Sequence, residues 1–261
     1  MLVFVGMGLN GLNDLTRSGI QWIQNGEKIY LDNYTSLIPN FSINELETFF
    51  NKKVFPVSRK CLEEDYYKIL DEAKKEVVVL LIPGDPFVAT THMHLRLAAI
   101  NAGIETKVIH SVSIQSAIYG ETGLFNYKFG RTVTLTFPHG SVISETPYEV
   151  IKDNMSRGLH TLLLLEIDAE RRLFMKIPDA IDLLRKLEYI KKENVITENI
   201  LCVGCARIGS DYQKIRANYI YELLKEDFGD PPHSLIIVGK LHFIEAEALI
   251  KLANAPKEIL R

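Results

Sequence analysis

The sequence has few cysteines, no long apolar run and no marked excess of charge of either sign. Three cysteines in 261 residues cannot build a disulfide framework, so we expect a protein of the reducing cytoplasm. No apolar run approaches the roughly 18 residues that a membrane-spanning helix needs, and the first strand is too short for a signal peptide. A net charge of −3 without a Lys/Arg cluster argues against nucleic acid as a partner.

Several motifs that carry chemistry on their own are also missing. The sequence contains no nucleophile elbow, no H-E-x-x-H metal motif and no P-loop, and we predict no metal site. Cys202 and Cys205 form a C-x-x-C, but it lies inside an apolar strand pattern, which favours small core residues over redox chemistry. These absences leave cofactor-driven group transfer as the remaining class of activity, with no catalytic residue assigned.

The first half of the chain alternates strand and helix patterns. Strands are predicted over residues 2–5, 28–31, 53–57, 77–82 and 105–109, and helices over 16–25, 43–51, 64–75 and 91–101. Gly26 is expected to close the first helix in the left-handed conformation. Successive strand–helix units of this kind predict an α/β domain with a largely parallel sheet covered by helices.

The pattern changes after His110, where we place a boundary between domains 1–110 and 111–261. Strands are predicted in the second half over residues 132–137, 159–167, 201–206 and 235–238, and helices over 148–157, 178–192, 215–227 and 245–253. Residues 132–137 alternate apolar and polar side chains, which indicates at least one antiparallel pair. We therefore predict a second α/β domain with a mixed sheet.

The most informative segment is residues 83–92 (PGDPFVATTH), which directly follows the buried strand pattern of 77–82. Two prolines stiffen the turn around Gly84, and Asp85 is the only charged residue between Glu76 and His92. The carboxyl end of a parallel strand is where α/β proteins bind ligands. Asp85 is therefore a candidate ligand-binding carboxylate, with a simple helix-capping turn as the alternative.

Residues 6–11 (GMGLNG) match G-x-G-x-x-G after the first strand, and Asp32 follows the second strand. This is the pattern of a dinucleotide-binding loop with an acid for the ribose hydroxyl. The third glycine should open a helix, however, and Gly11 is followed by a continuing loop in which Asp14 or Thr16 caps the helix. A Rossmann-like nucleotide-binding protein remains an alternative.

Several segments together resemble the diphthine synthase family, which belongs to the tetrapyrrole-methylase fold group of methyltransferases dependent on S-adenosyl-L-methionine. The resemblance covers nearly the whole chain and rests on residues 4–9 (FVGMGL), 34–37 (YTSL), 83–92 (PGDPFVATTH), 158–163 (GLHTLL), 226–233 (EDFGDPPH), 239–242 (GKLH) and 255–260 (APKEIL). It implies two tetrapyrrole-methylase-like α/β domains with the cofactor in the cleft between them, and a homodimer.

The resemblance also implies which residues bind S-adenosyl-L-methionine. Carried over position by position, the cofactor-binding residues are Leu9, Asp85, Val88, Ser113, Ile114, Leu165, Ile208 and His233. Residues 9–11 (LNG) depart from the Gly-Pro-Gly that the wider fold group prefers at this place, which argues against a porphyrinoid substrate. His233 follows two prolines, so the residues alone leave open whether it lines a cleft or lies in a surface loop.

The reaction that the resemblance implies is methylation of a modified histidine on translation elongation factor 2. The acceptor is the amino group of a 3-amino-3-carboxypropyl side chain, and the product, diphthine, is an intermediate of diphthamide biosynthesis. A methyltransferase of the same fold that acts on a tetrapyrrole or on ribosomal RNA shares the cofactor and remains an alternative. Neither the number of methyl transfers nor a general base follows from the sequence.

Overall fold

The computed structural model describes residues 1–140, 142–169 and 171–260. The chain divides into two compact units, one formed by Met1–Ser116 with Asp168–Arg172 and the other by Ala117–Ile167 with Leu173–Arg261. This division lies a few residues beyond the 110/111 boundary of the sequence, and it assigns a short later segment to the first unit. The domain limits 1–110 and 111–261 themselves stay a prediction.

The first unit is built on a parallel five-stranded sheet. Its elements are β1 (Leu2–Gly6), α1 (Arg17–Asn25), β2 (Lys28–Asp32), α2 (Ile43–Phe50), β3 (Val54–Val57), α3 (Arg59–Glu63), α4 (Tyr67–Ala73), β4 (Val78–Ile82), α5 (Met93–Asn101) and β5 (Thr106–Ile109). The strand order is β3-β2-β4-β1-β5, and β1 pairs in parallel with both β4 and β5. The predicted parallel sheet is confirmed. The helix predicted over 64–75 is the shorter α4, and α3 before it was not predicted.

Both faces of this sheet are covered. Phe4 and Leu80 belong to one apolar cluster, whereas their neighbours Val5 and Leu81 belong to another. Because successive side chains of a strand point to opposite faces, the two clusters lie on the two sides of the sheet. Burial on both sides explains why β1 and β4 are continuous apolar runs rather than alternating ones.

The first helix begins as the sequence predicts but ends differently. The Thr16 hydroxyl accepts a hydrogen bond from the backbone N–H of Gly19 at 3.0 Å and so caps α1. Gly26 follows the helix with an extended backbone, φ −67° and ψ 135°, so the expected left-handed closure is wrong. A Cβ atom on Gly26 would lie 2.7 Å from Cγ2 of Val79. Glycine is required there because the chain passes close to β4.

The second unit contains a mixed five-stranded sheet. Its elements are α6 (Ile114–Thr122), which begins before the division, then β6 (Val133–Leu135), α7 (Thr146–Ser156), β7 (Thr161–Leu165), β8 (Ile167–Asp168), β9 (Leu173–Phe174), α8 (Ile177–Lys191), β10 (Leu201–Ala206), β11 (Lys214–Tyr219), β12 (His233–Ile237) and α9 (Phe243–Ala253). The strand order is β11-β10-β12-β7-β6, with antiparallel pairs except for the parallel pair β6–β7. The mixed sheet is confirmed, but β6, whose alternation suggested an antiparallel pair, is the strand that pairs in parallel.

One predicted helix in this unit is wrong. The segment 215–227 forms the strand β11 and then a short 3-10 helix, Glu222–Lys225. Ile215 and Ala217 are buried on alternate positions of β11, which pairs with β10 over its whole length. Ile215, Tyr219 and Leu223 also fit a helical spacing, so the sequence pattern is compatible with both periods. Pairing with a buried neighbouring strand decides between them.

The core of the second unit explains the C-x-x-C pattern. Cys202 and Cys205 are buried in β10, and burial raises the pKa of both thiols above the usual range. Cys202 belongs to the apolar cluster that α8 covers through Ile181 and Leu184. The interpretation of these cysteines as small core residues is thus confirmed. Within residues 1–140, 142–169 and 171–260, no helix is long and apolar enough to cross a membrane.

Candidate functional site

Two loops at the carboxyl end of the first sheet are hydrogen-bonded to each other. The N–H of Gly8 donates to the carbonyl of Gly84 at 3.1 Å, and the N–H of Gly84 donates to the carbonyl of Gly8 at 2.7 Å. A Cβ atom on Gly6 would lie 2.7 Å from the same Gly84 carbonyl. The glycines of the first loop therefore permit close approach of the turn that carries Asp85. Leu9, one of the predicted cofactor residues, directly follows this contact.

The carboxylate of Asp14 accepts hydrogen bonds from backbone N–H groups of the glycine loop. Its Oδ2 accepts hydrogen bonds from the N–H groups of Leu9 at 2.8 Å and Asn10 at 2.9 Å. In a dinucleotide-binding loop such amides face a pyrophosphate at the start of a helix. Here Gly11 begins a short 3-10 helix, Gly11–Asp14, where the sequence predicts loop, and α1 begins only after its predicted cap Thr16. An internal carboxylate thus takes the place that the Rossmann-like alternative reserves for phosphate.

Asp32, the proposed ribose acid of that alternative, is buried and has internal partners. Oδ1 accepts the N–H groups of Tyr34 at 3.0 Å and Thr35 at 3.1 Å, and Oδ2 lies 2.9 Å from Nε2 of His92. The hydroxyl of Thr35 also donates to Oδ2. Asp32 therefore joins the segments 34–37 and 83–92, both of which carry the resemblance, and its role is structural.

The carboxylate of Asp85 is also held from within. Oδ1 accepts the N–H of Phe87 at 3.0 Å, and Oδ2 accepts Nδ1–H of His110 at 2.7 Å and the N–H of Ser111 at 3.3 Å. Asp85 is buried, whereas the side chain of His110 is 72% exposed. His110 was not among the candidates from the sequence. The available signal was its position, since it directly follows β5 at the same sheet edge.

The remaining predicted residues of the first unit lie on the loops that leave β4 and β5. The N–H of Val88 donates to the backbone carbonyl of Asp85 at 3.3 Å. Ser113 caps α6: its Oγ accepts the N–H of Ser116 at 3.4 Å, and its own N–H donates to Oγ of Ser116 at 3.0 Å. Ile114 is the first residue of that helix, where backbone N–H groups have no intrahelical partner.

Because β4, β1 and β5 are neighbours in one parallel sheet, their following loops share one edge. The structure thus brings five of the predicted residues to this edge of the first unit: Leu9, Asp85, Val88, Ser113 and Ile114.

The three predicted residues of the second unit also share one sheet edge. β7 ends at Leu165, and Ile208 lies just after the end of β10. β12 begins at His233 and runs antiparallel to both strands, so its first residue lies beside their ends. His233 pairs directly with Ala206, the last residue of β10.

His233 is a buried strand residue, so the surface-loop interpretation is wrong. Nδ1 of its ring accepts the N–H of Ile177 at 3.3 Å, and Nε2–H donates to the carbonyl of Asp230 at 3.1 Å. Burial lowers the pKa of His233 to about 4, an effect that the nearby charge of Arg207 reinforces. The imidazole is therefore neutral at pH 7.

A second buried cluster accounts for the segments 158–163 and 239–242. Oε1 of Glu245 accepts Nε2–H of His160 at 3.1 Å and the N–H of Phe125 at 2.9 Å, while Oε2 contacts Nζ of Lys128 at 2.5 Å and the N–H of His242 at 2.8 Å. Burial acts to raise the pKa of Glu245, but these hydrogen bonds outweigh it and hold the pKa below its usual range. All four contacts are internal, so the cluster fastens α9 to the sheet.

Comparison with known proteins places the chain in one family. The model of the Tetrapyrrole (Corrin/Porphyrin) Methylases matches residues 1–224. A protein of Methanosarcina mazei named diphthine synthase is 42% identical over 265 residues, which covers 100% of this chain and 98% of that protein. A diphthine synthase of Methanocaldococcus jannaschii is 43% identical over 251 residues, covering 95% and 97%.

A solved structure agrees with these sequence matches. The crystal structure of a diphthine synthase superposes with a TM-score of 0.91 at 38% identity, covering 100% of this chain and 98% of that one. The similarity therefore spans both units and leaves no part of the fold unmatched. The chain is a methyltransferase that belongs to the Tetrapyrrole (Corrin/Porphyrin) Methylases and, within them, to the diphthine synthase family.

Proposed function

We propose that this protein methylates the amino group of a 3-amino-3-carboxypropyl-histidine on translation elongation factor 2, a step of diphthamide biosynthesis. The observation that carries the proposal is the 42% identity to a diphthine synthase over 100% of the chain. A match over the whole chain covers the loops at both sheet edges as well as the strands that support them. The homodimer that the resemblance implies is part of the same proposal.

The methyl donor that we propose is S-adenosyl-L-methionine, which supplies an electrophilic methyl group on a sulfonium when it is bound. The residues of the first unit fit such a ligand. Leu9, Val88 and Ile114 offer apolar contacts, while Asp85 and Ser113 add a few polar atoms, a combination typical of small-molecule sites. Gly84 contributes open space, because a Cβ atom built on it would meet nothing within 4 Å.

The residues of the second unit likewise combine apolar side chains with a polar one. Leu165 and Ile208 are buried apolar side chains at one sheet edge, and His233 beside them is a neutral imidazole. A neutral ring adds no positive charge near a cationic sulfonium, which a protonated histidine would repel. We therefore propose Leu9, Asp85, Val88, Ser113, Ile114, Leu165, Ile208 and His233 as the donor-binding set.

With such a donor, the chain's own task is mainly to position the reactants. Its residues must hold a neutral amine in line with the methyl group and within attacking distance, while water is excluded. Repeated transfer also requires walls that tolerate a growing cationic head, and the donor-binding set contains no lysine or arginine. The set therefore suits a reaction in which both donor and product carry positive charge.

The direct test is mass spectrometry of elongation factor 2 that carries the unmethylated modified histidine, after incubation with this protein and S-adenosyl-L-methionine. We expect mass gains in steps of one methyl group at that histidine, and their number gives the count of transfers. No gain at that residue, with tight binding of the donor in a parallel titration, would contradict the choice of acceptor and leave the methyltransferase family intact.

A matched pair of valine variants tests the donor-binding set by calorimetric titration with S-adenosyl-L-methionine. Val88→Glu places a charged side chain among the proposed contacts, and we expect the dissociation constant of S-adenosyl-L-methionine to rise more than about tenfold. Val142→Glu is the control, because Val142 is 68% exposed and outside the set. Equal affinity for both variants in calorimetry would remove Val88 from the proposed site.

A further inference from the structure

A histidine at the edge of the first sheet is arranged as a proton acceptor. His110 directly follows β5 and lies between two members of the proposed donor-binding set, Asp85 across the neighbouring loop and Ser113 along the chain. Its Nδ1 contacts Oδ2 of Asp85 at 2.7 Å, and its side chain is 72% exposed. The ring is therefore anchored on one side and open on the other.

The anchor fixes which nitrogen carries the proton. Asp85 is buried and its Oδ1 is engaged by the N–H of Phe87, so the carboxylate cannot turn away. A carboxylate acceptor at Nδ1 requires the proton there, which leaves the lone pair on Nε2. Among the residues that the structure describes, none hydrogen-bonds Nε2 of His110. An aspartate that orients an imidazole with its second nitrogen free is the arrangement that general bases use.

We propose that His110 is the general base of the methyl transfer, oriented by Asp85; this inference rests on the function proposed above. The acceptor amine is protonated near neutral pH and has no lone pair to attack with. Nε2 of His110 takes one proton from the ammonium group and gives a neutral amine and an imidazolium that Asp85 stabilises. The exposed ring then returns the proton to water.

The rest of the step balances without another reactant. The amine lone pair forms the new N–C bond as the C–S bond breaks, and the electron pair of that bond stays on sulfur. The product is a methylated ammonium group, which must lose a proton before it can accept another methyl. His110 therefore acts once before each transfer, and three transfers to a trimethylammonium product require three proton removals.

The variant that tests this role is His110→Asn. The asparagine amide can still donate to Asp85 from about the position of Nδ1, but it has no basic nitrogen at the position of Nε2. We expect the dissociation constant of S-adenosyl-L-methionine to stay within about threefold of wild type, while the single-turnover rate falls roughly 100-fold or more. His94→Asn is the control, since His94 is an exposed histidine of the same unit. Added imidazole should partly restore turnover to His110→Ala.

A measurement on the free protein gives a second readout. In ¹⁵N NMR of histidine-labelled protein, we expect the His110 ring to carry its proton on Nδ1, and Asp85→Asn to abolish this preference. A proton on Nε2 in the wild type would overturn the proposal, and so would a His110→Asn variant with wild-type turnover or with donor affinity lost in step with its rate. A wild-type protein that binds the donor yet transfers no methyl group would contradict the proposed function and, with it, this role.

Discussion

At the scale of single residues, Asp14 determines the conformation of the glycine loop. One of its carboxylate oxygens accepts the backbone N–H groups of both Leu9 and Asn10. Gly8, which precedes them, has φ +65°, and a Cβ atom there would lie 2.2 Å from Cβ of Asp14. Gly8 and Asp14 therefore depend on each other, because the absence of a side chain on Gly8 makes room for the side chain of Asp14.

We predict that Asp14→Ala lowers the free energy of unfolding by about 2 kcal/mol, because two amides lose a charged acceptor. Asp14→Asn is the matched variant: its side-chain carbonyl can accept the same two hydrogen bonds, so the loss should be roughly half as large. Urea denaturation of the two variants and the wild type measures both values. An alanine variant as stable as the asparagine variant would show that the loop conformation does not depend on this acceptor.

The sequence indicated Asp85, but not its partner His110, as a candidate binding residue, and the reason lies at the scale of residues. The stiff turn around Asp85 is a local pattern, visible in consecutive residues. The pairing with His110 joins loops after two different strands, β4 and β5, and the sequence does not show that β1 lies between them. Contacts of this kind follow from strand order, so local patterns predicted one partner and missed the other.

At the scale of secondary-structure elements, β10 of the second unit packs closely against a buried aromatic ring. It pairs with both β11 and β12, and Gly204 lies in its middle. A Cβ atom on Gly204 would lie 2.4 Å from Cζ of Phe228 and 3.0 Å from Cδ1 of Ile177. The glycine thus lets the ring of Phe228 pack directly on the strand.

We predict that Gly204→Ala destabilises the protein by about 1–3 kcal/mol, because the added Cβ atom would clash with the buried ring of Phe228 and force it to shift. Gly120→Ala is the control. Gly120 lies in α6, and a Cβ atom there would meet nothing within 4 Å, so the substitution should stabilise by up to about 1 kcal/mol. Thermal unfolding midpoints should move in opposite directions, and equal shifts would contradict this account.

Short apolar runs were predictable as strands, whereas segments that fit two periods were not. The apolar runs of β1, β4 and β10 are only 5, 5 and 6 residues long, a length that favours a buried strand over a helix. The segment 215–227 satisfies both a strand and a helix period, and only its pairing with β10 makes it begin as β11. Non-local pairing is the information that a single sequence does not carry for such segments.

At the scale of the whole molecule, buried neutral histidines link stability to pH. The pKa of His233 is lowered by burial to about 4, and burial also lowers the pKa of His160. In the unfolded chain both imidazoles have a pKa of about 6.5. The unfolded state therefore binds more protons below that pH. The stability that these residues contribute is complete above about 6.5 and is lost as the pH falls, for His233 down to its folded-state pKa of about 4.

We predict that the free energy of unfolding falls between pH 7 and pH 5, and that His233→Gln reduces this fall by about 1–2 kcal/mol. Glutamine cannot be protonated, so its burial costs the same at both pH values. His139→Gln in the same unit is the control, because His139 is exposed. Denaturation curves at the two pH values measure the difference, and an identical pH dependence for wild type and His233→Gln would contradict it.

The two-unit architecture could be predicted because the pattern of predicted strands and helices differs between the two halves of the chain. That pattern does not show which residues meet at each sheet edge. The buried network around Asp32 and the cluster around Glu245 each join segments that lie far apart in the chain. Both networks include residues of the segments that carry the family resemblance. The resemblance therefore indicated these segments but did not show that their role is structural.

The carboxylate inside the glycine loop also bears on competition among adenosine compounds. ATP and NAD are abundant in cells, and both present phosphates that a glycine loop ordinarily binds through its amides. In this loop Asp14 already holds the amides of Leu9 and Asn10, and its charge repels a phosphate while it attracts a cation. If the donor is the sulfonium compound proposed above, we expect this internal carboxylate to favour it over the phosphates of the more plentiful nucleotides.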